Sequence, residues 1–224
     1  MTRRFKFLNF CLLIAICTAI ATFHSCDPDR NSMGNNNSLT HDEGVVINGI
    51  KWATRNVDKP GTFAANPEDA GMIYQWNRKV GWGATDPMIN STGGTDWDDT
   101  ILTGDAWIKT NDPSPAGWRV PTSDEIKTLF DTNKVRHVWT SINGVNGRRF
   151  IDKATGNSLF LPAAGNRFLG DGTLYYADMG GIYWSSTAYE IDGELAYYMG
   201  FDRSVAVLYD SYRHVGLSLR AVAE

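Results

Sequence analysis

The sequence predicts an α+β domain, an antiparallel sheet with one or two helices beside it and long loops at one end. Three observations predict it. Eight Trp, nine Tyr, ten Phe and 22 Gly among 224 residues suit short strands and ordered loops better than a helical bundle. The segments 196–201, 205–209 and 216–222 alternate in the manner of antiparallel strands. One stretch, NDPSPAGWRVPTSDEIKTLF at 111–130, carries a well-marked helix start.

The first residues concern targeting rather than fold. Arg3, Arg4 and Lys6 form a basic start, residues 7–23 are almost wholly apolar, and Ser25-Cys26 follows. A small residue before Cys at the end of such a run resembles a bacterial lipoprotein signal. The expectation is a signal peptide at 1–25 and lipid attachment at Cys26. An ordinary cleaved signal with an incidental cysteine is the alternative. The apolar run is short for a permanent span. Cys11 and Cys17 lie within the signal, so the mature chain has no intramolecular disulfide, although its compartment would permit one. Removal of Arg3, Arg4 and Lys6 takes 21 basic residues to 18 against 25 acidic ones. A mildly acidic domain of this kind is a poor partner for nucleic acid.

Residues 26–43 are rich in Asn, Ser, Asp and Gly and cannot repay their ordering entropy. They are expected to form a flexible linker, about 20–25 Å end to end on average. The globular domain is expected over 44–224. Val45, Val46 and Ile47, then Ile50 and Trp52, form a hairpin turning at Asn48-Gly49. Residues 70–82 are ambiguous. Met72, Tyr74 and Trp76 alternate like a strand, while Met72, Ile73 and Trp76 match a helical face. Residues 83–105 form a loop of a length that usually has a function or is poorly ordered. Thr122 with Glu125 three residues on has capping-box spacing, and Ile126, Leu129 and Phe130 share a helical face. Beyond that helix, turns are expected at Asn143-Gly144, Asn146-Gly147, Gly165, Gly170-Asp171-Gly172 and Gly180-Gly181.

Six segments run in order across the domain: INGIKWATRNV from Ile47, YQW from Tyr74, NDPSPAGWRVPTSDEI from Asn111, LPAAGNR from Leu161, GGIYWSST from Gly180 and GLSLRAV from Gly216. Together they resemble the Fibrobacter succinogenes major paralogous domain, a family frequent in lipoproteins of the Bacteroidetes. That family in turn looks like a branch of the C-type-lectin-like fold, near the formylglycine-generating enzymes. The resemblance implies export, with a lipid anchor in the outer membrane on its periplasmic or cell-surface face. It also implies cysteines where Ser114 and Ala221 stand. If relatives join that pair, this chain forgoes about 4–5 kcal/mol of loop-closure stabilisation.

The chemistry points away from catalysis. A formylglycine-type oxidase would need a reactive cysteine pair, which the mature domain lacks. Ser185 and Ser186 have no partner indicated by spacing, and His41, His137 and His214 are too scattered for metal-ligand spacing. Asp96, Asp98 and Asp99 form the densest acidic cluster, a calcium candidate if the loop wraps a hard cation and otherwise a solvated turn; no other cofactor is expected. Asp99-Thr100-Ile101 also fits a short O-glycosylation pattern. Trp52, Trp76, Trp118 and Trp184 are expected in the core. Trp82, Trp97 and Trp107 flank the long loop, and Tyr175, Tyr176 and Tyr189 lie in others. Such rings with nearby Asp grip sugars by stacking and hydrogen bonding; the alternative for each is that it packs its loop onto the core. Trp97, Asp96, Asp98, Tyr175, Tyr176 and Tyr189 are therefore the expected ligand-binding residues. The expected function is a non-catalytic, monomeric binding module for a glycan or a surface protein. An adhesive subunit of fimbrial-tip type is the second reading, and an enzyme the third.

Overall fold

A computed structural model of the chain describes residues 38–224. The signal peptide, Cys26 and most of the expected linker lie outside the described residues. The part of that linker within them is already folded. Asp42 is 5% exposed; it accepts from the Gly44 and Thr54 amides at 2.8 and 3.0 Å and pairs with Arg55 Nε at 3.1 Å. Burial would raise its pKa, but these donors hold it below the ordinary carboxylate value. The domain therefore begins before residue 44, because Asp42 caps the turn that leads into it.

The strands are β1 (Val45–Ile47), β2 (Ile50–Trp52), β3 (Met72–Tyr74), β4 (Gly81–Gly83) and β5 (Trp118–Arg119). After the helix α1 (Ser123–Lys127) come β6 (Val135–Ile142), β7 (Val145–Asp152), β8 (Ser158–Pro162), β9 (Asn166–Arg167) and β10 (Leu174–Tyr175). The chain closes with β11 (Gly181–Ala188), β12 (Leu195–Phe201), β13 (Ala206–Tyr212), β14 (Leu217–Ser218) and β15 (Val222–Ala223). The described chain is thus mostly sheet with one short helix, continued by a 3-10 turn over Thr128–Phe130. No helix among the described residues is long and apolar enough to cross a membrane.

The local signals act as their chemistry requires. Asn48 and Gly49 have φ of 45° and 83°, and Asn143 and Gly144 have 49° and 85°. Positive φ at both central residues is the turn whose twist matches flanking strands. The Thr122 side chain accepts from the Glu125 amide at 3.2 Å, while Glu125 accepts from the Thr122 amide at 2.8 Å. Glu125 also takes both ends of the Arg119 guanidinium, at 2.8 and 2.5 Å. Two expectations are corrected. Asn146-Gly147 lies inside β7, paired with Ser141 and Thr140, so it makes no turn. Residues 216–222 are not one strand but β14 and β15, in different sheets.

The largest sheet has the order β13-β12-β11-β14-β3-β4, and a second runs β1-β2-β15-β5. Residues 72–74 are settled as a strand by pairing with β14 and β4. Two cores flank the large sheet. One gathers Phe63, Tyr74, Trp76, Trp107, Trp118, Trp184, Leu217 and Leu219. The other holds α1 through Ile126 and Leu129, with Trp52, Phe150, Tyr183, Met199 and Phe201. Trp52, Trp76, Trp118 and Trp184 are all buried.

Candidate functional site

Pairing register determines which face each residue of β11–β13 presents. Trp184 stands opposite Tyr198, and Tyr198 opposite Tyr209; Ile182 stands opposite Gly200, and Gly200 opposite Val207. These two rows share one face, because directly opposed residues point the same way. The other face carries Tyr183, Met199 and Phe201 into the core around α1. On the first face the core stops early. Trp184 is fully buried, Tyr198 packs on it edge-on at 6.3 Å, and Tyr209 beyond is 57% exposed. Gly200, lacking a side chain, leaves a depression between Ile182 and Val207.

One rim of that depression is a constrained loop. Tyr176 and Asp178 have φ of 58° and 65°, a conformation uncommon for bulky residues and costing about 1–3 kcal/mol each. Hydrogen bonds hold it. The Asp178 amide donates to Ala163 O at 2.7 Å, and the Met179 and Gly180 amides both donate to Tyr176 O at 3.0 Å. Asn146 donates to Asp178 through its amide and its side chain, both at 3.3 Å. The Tyr176 ring is left 62% exposed and Met179 66%.

The result is a cleft of about 310 Å³ between the Tyr176 loop and β11–β13, walled by Tyr176, Met179, Ile182, Tyr198, Val207 and Tyr209 and floored by Gly200. The hydroxyls of Tyr74, Tyr183 and Tyr197 donate to Asp58 O, Pro162 O and Glu190. Those of Tyr176, Tyr198 and Tyr209 have no partner among the described residues. Burial, with Asp210 and Tyr209 nearby, pushes the Tyr198 phenol up; it remains protonated and able to donate at neutral pH.

Of the residues singled out in the sequence, only Tyr176 lines this cleft. Tyr175 is exposed but turned against Phe168, with ring centres 5.9 Å apart. Tyr189 packs edge-on against Tyr197 at 5.3 Å, on the opposite face from Tyr198. Trp82 and Trp107 are buried. Trp97 is half-buried, and its Nε1 donates to Leu169 O at 2.9 Å. Its ring meets Trp82 at 5.0 Å. A Cβ at Gly172 would stand 2.7 Å from the indole, and one at Gly216 2.9 Å. Trp97 is a peg that holds its loop down, the packing reading of the two that the sequence leaves open.

The rest of the 83–105 loop is fastened similarly. Arg167, fully buried, donates to Gly83 O and Thr85 O, both at 2.7 Å. Gln75 donates to Asp98 O, and Arg213 Nη1 to Leu102 O at 3.0 Å. Asp98 pairs with Arg78 at 2.5 Å and accepts from the Thr100 hydroxyl at 2.6 Å. Burial would raise its pKa, but Thr100 and Arg78 hold it below the usual range.

Asp96 and Asp98 line a second, polar cleft of about 300 Å³ beside Gln75, Arg78 and Lys79. Two cations in that wall disfavour another. Among the described residues, no three His, Cys, Asp or Glu side chains converge to hold a metal ion. Of Asp96, Asp98 and Asp99, Asp98 is the one paired with Arg78.

The Ser185 hydroxyl is buried and donates to Tyr197 O at 2.9 Å. His137 meets Arg148 at 2.7 Å, and His41 pairs with exposed Glu43 at 2.8 Å. Burial lowers the pKa of His214, whose Nδ1 has no partner. Ser114 Oγ is also buried without a partner, and Ala221 is fully buried. No family model matches the chain, and no curated protein or solved structure matches it either.

Proposed function

We infer that this chain is a non-catalytic binding module that takes a glycan in the Tyr176–Tyr198–Tyr209 cleft. One observation carries the reading. Three tyrosines surround a glycine-floored depression, and their hydroxyls have no partner among the described residues. Amphipathic rings with free hydroxyls suit a ligand that offers an apolar ring face and a hydroxylated edge. The cleft is set by strand pairing and a hydrogen-bonded loop, so it is formed before the ligand arrives, which lowers the entropic cost of binding. A protein ligand is the second reading, favoured by the exposed Met179 and Val205 at its margin. Fold and family enter as part of the proposal. They rest on the six motifs from Ile47 to Val222, on the capping box they contain, and on the long loop beside the sheet. Lipid attachment at Cys26, in the outer membrane, belongs to the same proposal, and Cys26→Ser should release the protein from the membrane fraction.

The test is an array of immobilised oligosaccharides probed with the wild-type chain and with Gly200→Thr. Threonine suits a strand, and its Cβ, 3.1 Å from Tyr198 Cε2, crowds the cleft floor. Wild type should give saccharide hits that Gly200→Thr loses. An array without hits, or hits unaffected by Gly200→Thr, would refute the glycan reading.

A further inference from the structure

We propose that two copies of this chain pair through their β13 strands, so that the aromatic row of the cleft runs unbroken from one protomer into the next. This sheet edge is formed by backbone groups, whatever ligand the cleft takes. The large sheet ends at β4 on one side and at β13 on the other. The β4 edge is three residues long and is bridged by Asn90 opposite Trp82. The β13 edge spans seven residues, all in regular register with β12. Natural edges are protected by charged side chains, Lys above all, by Pro, by bulges or by a covering segment. β13 reads AVLYDSY, with the single charge of Asp210 but without Lys or Pro, and shows no bulge. β6, another long edge, carries Arg136 and His137.

The direction of the free backbone groups follows from the hydrogen bonds at the two ends of the hairpin. The Arg213 amide donates to Glu194 O at 2.9 Å, and the Asp202 amide to Val205 O at 3.0 Å. Antiparallel ladders alternate bonded and non-bonded pairs. Tyr209 and Val207 are therefore bonded to β12, while Ala206, Leu208, Asp210 and Tyr212 aim their N–H and C=O groups outward. Among the described residues nothing pairs with them except at Tyr212 O, which accepts from the Val215 amide at 3.0 Å.

This row is self-complementary. A two-fold axis at Tyr209 sets Ala206 against Tyr212 and Leu208 against Asp210 of the second copy, in four bonded pairs. The outward groups of Leu208 and Asp210 then all have partners, while Tyr212 O, already engaged by Val215, takes Ala206 N–H as a second donor. Tyr209 meets Tyr209 in a non-bonded pair, where side chains approach most closely. The row Trp184–Tyr198–Tyr209 continues through the axis into its own image. The partner fitted is thus a second copy in an isologous dimer, in place of the monomer expected from the sequence. Asp210 faces its own image only across the diagonal, about 7–8 Å away, close to the screening length at physiological salt.

Sedimentation of the full chain over a range of concentrations tests this. Wild type should show a monomer–dimer equilibrium. Asp210→Pro removes an outward N–H without touching the β12 ladder and should weaken the dimer tenfold or more. Asp210→Asn should tighten it. If Asp210→Pro misfolds, cysteine placement decides. Tyr209→Cys puts two Cα atoms at about 4.5 Å, within disulfide reach, so peptide mapping after mild oxidation should find a 209–209 crosslink. Tyr212→Cys should give no 212–212 crosslink, its copies being about 20 Å apart in this register. A wild type that stays monomeric at all concentrations, a dimer indifferent to Asp210→Pro, or equal crosslinking at 209 and 212 would overturn the proposal. An unrelated extended peptide occupying the edge would show as a monomer whose edge is blocked by that peptide, which also overturns it.

Discussion

The 83–105 loop and the β11–β13 face invert the usual association of loops with recognition. The loop is irregular and acidic, yet its largest side chain, Trp97, is inserted between Gly172 and Gly216 against Trp82. The face belongs to the most regular part of the molecule, yet it presents Tyr209 and, from the adjoining loop, Tyr176 to solvent. What decides exposure is whether another element covers the residue. The α1 core covers one face of β11–β13, and the tryptophan core covers the other only as far as Trp184 and Ala196. Irregular backbone can be rigid when buried guanidiniums such as Arg167 bind its carbonyls. Regular backbone can carry a site when its sheet extends beyond its core.

The comparison breaks most visibly at Trp97. Trp97→Ala removes a peg and opens a cavity, so it should lower stability by about 3 kcal/mol, the low end for a core Trp because the ring is half-buried. A thermal melt reads this directly, and a melt equal to wild type would return Trp97 to the role of exposed anchor. A calibrating change lies in neither region. Thr122→Ala removes one half of the capping box and should cost about 1 kcal/mol by denaturant unfolding. Tyr209→Ala should be milder still, under about 1 kcal/mol. It forfeits only the contact with Tyr198, whose ring centre lies 6.2 Å away.

The smallest effect concerns pH. Asp98 has a depressed carboxyl pKa in the folded chain. Its stabilisation is therefore present above the unfolded value of about 3.9 and is lost as pH falls through the lower folded value. The Arg78–Asp98 pair is partly solvent-exposed, so screening limits the effect to a few tenths of a kcal/mol. Amide exchange over residues 97–102 should speed up across that window, and Asp98→Asn should remove the pH dependence.

Features set by near neighbours in the chain were legible in the sequence. The capping box at Thr122, the Asn48-Gly49 and Asn143-Gly144 turns and the four core tryptophans follow from spacing, because their partners are local or their burial is generic. Residues 70–82 satisfied two periodicities at once, and only pairing with β14 settled them. The alternation at 196–201 and 205–209 correctly indicated strands, but alternation does not say which face is covered, so Tyr198 and Tyr209 were not seen as site residues. The sequence leaves the packing of Trp97 open because its contacts come from residues 82, 169, 172 and 216. Asp42 was assigned to a linker because its partners, Thr54 and Arg55, lie beyond the first hairpin.

Binding measured side by side in the two regions tests the central claim most directly. The oligosaccharide array would be probed with wild type, Tyr209→Ala and Asp96→Asn. The cleft on β11–β13 predicts that Tyr209→Ala loses more than about 1 kcal/mol of affinity, as anchor aromatics do, while Asp96→Asn retains the wild-type pattern. Hits kept by Tyr209→Ala and lost by Asp96→Asn would place recognition on the 83–105 loop and contradict the account.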